Sequence, residues 1–435
     1  MNRRKFLSFS QGAVAAALFP AVAADAKKRT VWGIAELWQW LYQTQHSSGH
    51  DSADCLQAHL ENGVRHVLWS LGRSTLDYHS ELSTSTRYAG DTRPQTKVIG
   101  ESFRRECSLR AALGFAARHD MVLYGRLGMN RHYGDALGGG LRSAYIAAHP
   151  EWMERHRGGQ PDATKVSYAV PEYRAERLAI LLEVAQIGVH GLCLDFCRQP
   201  PHARYHPLLL EPWLREGRGD PRGLSVGSPE FLGWAQHRCN FINLFLRELR
   251  TRLQELERTT RRKVPVQVRI PEATLELNVL EGLDLRTWLR EGWVDEITLD
   301  PLWIWDFAYP DTAGPYVELA RAHGVRIHGG VNTVTGKGVK ASARGFLERV
   351  SRNYHEGVDG IALFQTDAAL LVPELKALLG PLLPQLGDTA AVSEQLAAAR
   401  RRQPELSEAE RHFGLDNHSL LPQLGRAPRL SLETL

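Results

Sequence analysis

The segment PEYRAERLAILLEVAQIGVHGLCLDF, residues 171–196, joins a helical pattern to a short apolar strand. Pro171 stands at a first-turn position, apolar residues recur at helical spacing, and Gly188 ends the pattern. The following run predicts a buried strand with one carboxylate, Asp195, near its end. A helix that leads into a buried strand in this way is typical of repeated βα units.

The same alternation extends along the chain in both directions and predicts eight strands. They cover residues 29–36, 64–71, 121–128, 188–196, 264–270, 294–300, 325–332 and 357–365. Eight strands with intervening helices predict an α/β fold, a (β/α)8 TIM barrel, over residues 27–383. Long loops follow the third strand (129–169) and the fourth strand (197–227), and a helical and irregular C-terminal extension covers residues 384–435.

The first 26 residues predict an export signal. They combine the paired Arg3 and Arg4, a short apolar stretch, and small-x-small sites at 21–23 and 24–26, which is similar to a twin-arginine signal. The apolar stretch is too short to span a bilayer. We therefore expect the twin-arginine export machinery as a partner, a periplasmic or secreted location, and no stable membrane insertion after the signal is removed.

Composition narrows the class of protein further. The chain has 435 residues, 43% of them hydrophobic, and a formal net charge of +4. Loss of residues 1–23 removes Arg3, Arg4 and Lys5 and lowers that charge to about +1. This balance argues against a disordered chain and against a nucleic acid partner.

No cofactor or metal is predicted. The five cysteines form no CxxC or Cys/His ligand spacing, and packed free thiols are favoured for Cys193 and Cys197, which flank Asp195. The sequence has no GxSxG elbow, no HExxH and no GxGxxG after the first strand. The run GGVNTVTGKG, 329–338, lacks phosphate-loop spacing, and a Gly-rich surface turn is favoured there.

Polar residues at the predicted strand ends are the candidate site, because barrels keep their chemistry at that face. They are Glu36, Arg126, Asn130, Asp195, Arg198, Arg269, Glu272, Asp300, His328, Asn332, Gln365 and Asp367. Glycoside hydrolysis needs two such carboxyl groups, and tryptophans beyond the strands, Trp303 among them, offer faces for sugar rings. Trp32 and Trp69 lie within strands, where core packing is favoured.

The sequence also resembles a known family. HPEW (149–152), GVHGLCLDFCRQPP (188–201) and GLDLRTWLREGWVDEITLDP (282–301) are similar to the family-10-like glycosyl hydrolase barrels, which are related to the α-galactosidase-type barrels. The resemblance implies that Asp195 is the nucleophile and Asp300 the acid/base. Cys193, Cys197 and Gln199 depart from the commoner pattern, which leaves the sugar specificity open.

We therefore expect an exported glycoside hydrolase that acts on a poly- or oligosaccharide. Asp195 is nucleophile or base, Asp300 is the proton donor, and Glu272 and Glu36 are reserve acids. Arg126, Asn130, Arg198, Arg269, Trp303, His328, Asn332, Gln365 and Asp367 are expected to bind the substrate. The alternative is a barrel that binds carbohydrate without cleaving it; a metal-dependent hydrolase is disfavoured by the scattered histidines.

Overall fold

The computed structural model describes residues 28–90, 93–129, 132, 141–197, 201–301, 313–335 and 339–415. Ten strands lie in this part of the chain. They are β1 (Thr30–Ala35), β2 (His66–Gly72), β3 (Val122–Gly128), β4 (Met153–Arg155), β5 (Pro161–Val166), β6 (Gly191–Asp195), β7 (Val266–Pro271), β8 (Glu296–Asp300), β9 (Arg326–Asn332) and β10 (Gly360–Phe364).

Eight of these strands form a closed parallel barrel in the order β1-β10-β9-β8-β7-β6-β3-β2. They are the eight predicted strands, and each begins and ends within three residues of its predicted bounds. The fold is therefore a (β/α)8 barrel, as the sequence predicts. The strands pair in sequence order because each helical crossover returns the chain beside the preceding strand.

Helices cover the outside of the barrel and fill the long loops. They are α1 (Leu37–Thr44), α2 (Asp51–Glu61), α3 (Lys97–Arg105), α4 (Ser108–Arg118), α5 (Ala144–Ala147), α6 (Pro171–Ile187), α7 (Pro207–Arg215), α8 (Pro229–Thr260), α9 (Leu275–Glu281), α10 (Leu285–Arg290), α11 (Gly314–Ala322), α12 (Ala343–Glu356), α13 (Thr366–Leu371), α14 (Pro373–Leu379), α15 (Thr389–Arg402) and α16 (Glu408–Arg411). Among the described residues, no helix is both long and apolar enough to cross a membrane.

The predicted helix signals fix the helix ends. Gly188 follows α6 at φ 119°, a left-handed conformation that suits glycine, and its N–H donates to Val184. Ser228 caps α8, since its hydroxyl accepts from the Phe231 N–H at 3.1 Å. These ends set the point at which the chain turns between barrel wall and surface.

Both long loops carry structure of their own. The first contains α5 and an antiparallel hairpin, β4–β5, that the sequence analysis did not predict. The second contains α7, whose apolar side packs with the start of α8 in a separate buried cluster around Trp213 and Trp234. Both loops follow strands at the carboxyl face of the barrel.

The described part of the C-terminal extension packs back onto the barrel. Helix α15 lies beside α12, where the Arg344 guanidinium donates to the Gln403 carbonyl oxygen at 2.6 Å. After α16, the Gly414 carbonyl oxygen accepts from the N–H of Asn332, at the end of β9, at 2.7 Å. The extension thus reaches the carboxyl face of the barrel.

Candidate active site

One layer of side chains forms the mouth of the barrel. Alternate residues of a strand point inward, and the buried apolar cluster of Trp32, Ile34, Leu68, Tyr124 and Cys193, with Ala362 and Phe364, marks the inward positions. When this alternation is followed to the carboxyl ends of the strands, it gives a last set of inward-facing side chains, which we call the mouth layer. Its members are Glu36, Ser70, Arg126, Asp195, Arg269, Asp300, Asn332 and Phe364.

The charged members of the mouth layer form a chain of alternating sign. Arg126 contacts Glu36 through Nη2 and the Asp195 Oδ2 atom through Nη1, the latter at 2.5 Å. Arg269 contacts Asp195 at 3.0 Å and Asp300 at 2.6 Å. The chain brings together, in one buried row, five residues that the sequence analysis selected from five different strand ends.

Asp195 lies at the centre of this row. Its side chain is 1% exposed, both carboxylate oxygens contact Arg269 at 3.0 Å, and the Cys197 N–H donates to Oδ1 at 3.0 Å. Burial acts to raise the pKa of Asp195, but Arg269, Arg126 and the Cys197 N–H outweigh it and hold the pKa well below its usual range. Asp195 is therefore a carboxylate anion across the whole range of ordinary working pH.

Asp300 lies close to Asp195 because the two share one guanidinium. Arg269 offers Nη1 to Asp195 and Nη2 to Asp300. The fixed fork of the guanidinium places the contacting oxygens within roughly 8 Å of each other. Carboxyl pairs in glycosidases lie about 5 to 9.5 Å apart, so this separation is compatible with that chemistry.

Glu272 does not face the mouth. It follows β7 one residue out of phase with the inward side chains, and its carboxylate contacts Arg349 of α12. Burial and the Asp300 and Glu356 carboxylates raise the pKa of Glu272, and Arg349 opposes them. The Glu272 side chain thus lies between the barrel wall and the outer helices, and its catalytic role stays a prediction.

His328 lies at the other end of the barrel interior. It is four residues before the end of β9, fully buried, and its Nε2 contacts the Glu296 carboxylate at 2.9 Å. Tyr124 also donates to Glu296, at 2.8 Å, and the Trp32 ring is 6.1 Å from the His328 ring. His328 therefore lies below the mouth layer, and its substrate contact stays a prediction.

Three further predicted residues lie at the carboxyl face, outside the row of charged side chains. The Asn332 amide donates to the Leu415 carbonyl oxygen at 2.9 Å, in the C-terminal extension. Gln365 adopts φ 54°, a strained conformation for a residue other than glycine. Asp367 is fully buried behind β1, where burial and the nearby Glu36 carboxylate raise its pKa well above the usual value.

Asn130, Arg198 and Trp303 lie outside the described residues. The remaining tryptophans of the strands are core residues, as favoured from the sequence: Trp32 and Trp69 are 2% and 0% exposed. Cys193 and Cys197 are free and buried. Within the described ranges, no group of three or more His, Cys, Asp or Glu side chains could hold a metal ion.

Sequence reasoning missed three residues of this region. Ser70 belongs to the mouth layer, and its hydroxyl donates to the carboxylate of Asp77 at 2.8 Å. Arg73 contacts Glu36 at 3.2 Å. The period-two alternation of the strand already indicated Ser70, which is two residues after the inward Leu68. Arg73 and Asp77 lie in the following loop, and only the conformation of its turn brings them back to the mouth.

Comparison with known proteins supports the fold. The sequence matches no protein-family model and no curated protein, so the resemblance to the family-10-like barrels is not confirmed. The fold is similar to that of α-L-fucosidase isoenzyme 2 from Paenibacillus thiaminolyticus, with a TM-score of 0.51 and 12% identity over 86% of this chain. The chain spans 50% of the length of that fucosidase.

Other structural neighbours are also glycoside hydrolases. A maltogenic α-amylase from Thermotoga neapolitana has a TM-score of 0.43 at 12% identity, covering 83% of this chain and 76% of the amylase. The glycoside hydrolase domain of PelA from Pseudomonas aeruginosa has a TM-score of 0.38 at 13% identity, covering 78% of this chain and 95% of that domain.

Proposed function

We propose that this protein is an exported glycoside hydrolase that cleaves a poly- or oligosaccharide. The observation that carries the proposal is Asp195, a carboxylate kept anionic by two arginines at the mouth of a (β/α)8 barrel. An anion at this place can attack an anomeric carbon or activate water, and it stabilises positive charge on the sugar ring in the transition state.

In this proposal the acidic and the basic residues of the mouth layer have different roles. Asp195 is nucleophile or base, and Asp300 is the second carboxylate, held across Arg269. Arg126 and Arg269 keep Asp195 ionised, and Glu36 balances Arg126. Asn130, Arg198 and Trp303 remain proposed substrate contacts because they follow the same strand ends.

The second candidate is a barrel that binds carbohydrate without cleaving it. One observation favours it: the side chains of Asp195 and Asp300 are only 1% and 2% exposed, and both are engaged by arginine. Buried ion pairs of this kind also occur as purely structural features.

Binding and cleavage separate the two candidates. The full chain, purified after export, is incubated with a panel of bacterial exopolysaccharides and plant glycans. New reducing ends and retardation in glycan-containing gels are measured on the same samples. We expect new reducing ends from at least one glycan. Retardation without cleavage would establish the binding protein instead. The absence of both cleavage and retardation would remove both candidates.

Export through the twin-arginine route has its own test. Replacing Arg3 and Arg4 together with lysine keeps the charge of the signal and removes the motif. We expect the chain to remain in the cytoplasm, measured by fractionation. Unchanged export of the double variant would contradict the assignment of the route, while leaving the proposed chemistry untouched.

A further inference from the structure

Glycoside hydrolysis also requires a carboxyl group that carries a proton to the leaving oxygen. The three carboxylates of the mouth layer have arginines as direct partners: Glu36 has Arg126, and Asp195 and Asp300 share Arg269. A guanidinium contact stabilises the charged form of a carboxyl group. These three groups are therefore suited to anionic roles. On this argument Asp300, which the sequence resemblance implies is the acid/base, is a second anion instead, and the proton donor has to be sought beside the mouth layer.

Asp77 is a carboxyl group next to the mouth layer with a different environment. Its side chain accepts a hydrogen bond from the inward-facing Ser70 at 2.8 Å, and the residue is 7% exposed. Among the described residues, no arginine, lysine or histidine forms a direct ion pair with it. It is thus a buried acid at the mouth that is held by a neutral donor.

The loop after β2 fixes Asp77 in this place. Gly72 adopts φ 98°, and a Cβ there would lie 2.1 Å from the Thr75 carbonyl oxygen, so only glycine fits this turn. The turn returns the chain so that the Asp77 N–H donates to the Leu71 carbonyl oxygen at 3.0 Å. Ser108 at the start of α4 donates to the Asp77 carbonyl oxygen at 2.5 Å.

The charges around Asp77 allow it to hold a proton near neutral pH. Burial raises its pKa to about 6, with Glu36 acting in the same direction. The Ser70 hydroxyl, Arg73 and Arg126 oppose the rise. A group of this kind matches what a general acid needs, namely a pKa close to the working pH.

We infer that Asp77 is the proton donor of the proposed hydrolase, a role that rests on the proposed function and deepens it. The proton of Asp77 passes to the glycosidic oxygen as the bond from that oxygen to the anomeric carbon breaks, and the leaving group departs as an alcohol. Asp195, or a water that it activates, forms the new bond to the anomeric carbon. If Asp195 is the nucleophile, water then breaks the bond from Asp195 to the anomeric carbon, its hydroxyl stays on the sugar and its proton restores Asp77. If Asp195 is the base, it takes the proton of the attacking water and releases it to solvent, which returns a proton to Asp77.

The test compares leaving groups. Paired 4-methoxyphenyl and 2,4-dinitrophenyl glycosides of glucose, galactose, fucose and N-acetylglucosamine, in both anomeric forms, are assayed with the wild type and with Asp77→Asn. General acid catalysis contributes roughly 100- to 10,000-fold, so we expect a loss of that order for the poor leaving group, 4-methoxyphenol. The dinitrophenyl glycoside needs no proton, and its rate should fall less than about tenfold.

The pH profile gives a second readout, and it also applies to a polysaccharide substrate. Only protonated Asp77 is active in the first step, so kcat/KM of the wild type should decline above pH of about 6. Asp77→Asn should lose this decline. Ser70→Ala removes a hydrogen bond that lowers the pKa of Asp77, so its decline should move to higher pH.

Asp284→Asn is the matched control. Asp284 is 5% exposed and accepts one side-chain hydrogen bond, from Gln236 at 2.7 Å, but it caps α10 on the outside of the barrel. We expect its pH profile to equal that of the wild type. Thermal unfolding of both Asn variants verifies that each is folded.

The outcomes are distinct. Equal losses of Asp77→Asn on both leaving groups, or an alkaline decline that persists in this variant, would overturn the role of Asp77 and leave the glycosidase proposal standing. A wild-type enzyme that cleaves none of the aryl glycosides and none of the glycans would overturn both.

Discussion

Replacing Arg269 with methionine removes the cation that two buried carboxylates share. Arg269 is 1% exposed and contacts Asp195 through Nη1 and Asp300 through Nη2. Methionine keeps much of the volume of the side chain and its packing, but it offers no donor. Asp195 then keeps Arg126 and the Cys197 N–H, while Asp300 loses its guanidinium.

The magnitude follows from the burial of both partners. Breaking a buried ion pair by removal of one partner costs about 3 to 5 kcal/mol, because the remaining charge stays buried. All three side chains are 1% to 2% exposed, so solvent screening does not reduce this value. We therefore expect the free energy of unfolding of Arg269→Met at pH 7 to fall by about 3 to 5 kcal/mol.

The loss should depend on pH in a definite direction. The pKa of Asp195 in the folded protein lies below its usual value, so Asp195 stabilises the fold above its unfolded pKa of about 3.9 and loses that contribution as pH falls. The difference between wild type and Arg269→Met should therefore be full at pH 7, largely retained at pH 4, and lost only as pH falls further toward the folded pKa of Asp195.

The assay is urea unfolding at both pH values, followed by tryptophan fluorescence and circular dichroism. A double-mutant cycle with Asp195→Asn isolates the pair, and we expect a coupling energy of about 1 to 3 kcal/mol at pH 7. A coupling below about 0.5 kcal/mol at pH 7 would refute the ion-pair reasoning.

Three other predictions concern neighbouring parts of the fold. His328→Gln removes a contact with Glu296 below the mouth, so we expect stability to fall by about 1 to 3 kcal/mol in urea unfolding while kcat/KM stays within about twofold of wild type. Gly72→Ala forces a Cβ against the Thr75 carbonyl oxygen at positive φ, and its thermal midpoint should fall by about 4 °C or more, with loss of activity as Asp77 shifts. A chain that ends after Leu406 lacks the backbone partners of Asn332 and should unfold at a lower temperature than a chain that ends after Leu415; equal midpoints for both truncations would contradict the assigned contacts.

Much of the barrel was predictable because each strand is a short apolar run between amphipathic helices. The hairpin β4–β5 was not, since its strands are short and one of them carries Pro161 and Asp162 among other polar residues. A strand is predicted from its pattern of buried residues, and a surface hairpin lacks that pattern.

The candidate site was predictable to the extent that side chains follow strand parity. Glu36, Arg126, Asp195, Arg269 and Asp300 all have the parity of inward residues near strand ends and meet in one row. Asn332 shares that parity, but its amide contacts the C-terminal extension.

Two predicted site residues lie outside the mouth layer because of their position along the strand. Glu272 is one residue out of phase and faces the helices, and His328 has the inward parity but lies two inward positions below the mouth layer. Asp77 could not be found from strand ends, since a turn through Gly72 brings it back to Ser70.

Asp195→Asn is the decisive substitution, because Asp195 is the proposed anionic catalytic carboxylate. Glu296→Gln is the matched control, because Glu296 is also a fully buried carboxylate inside the barrel with an arginine partner, but it lies below the mouth. The measurement is kcat/KM of wild type and both variants on the glycan that the wild type cleaves best. We predict a loss of at least about 1,000-fold for Asp195→Asn and less than about tenfold for Glu296→Gln. Wild-type activity in a folded Asp195→Asn protein would contradict the account.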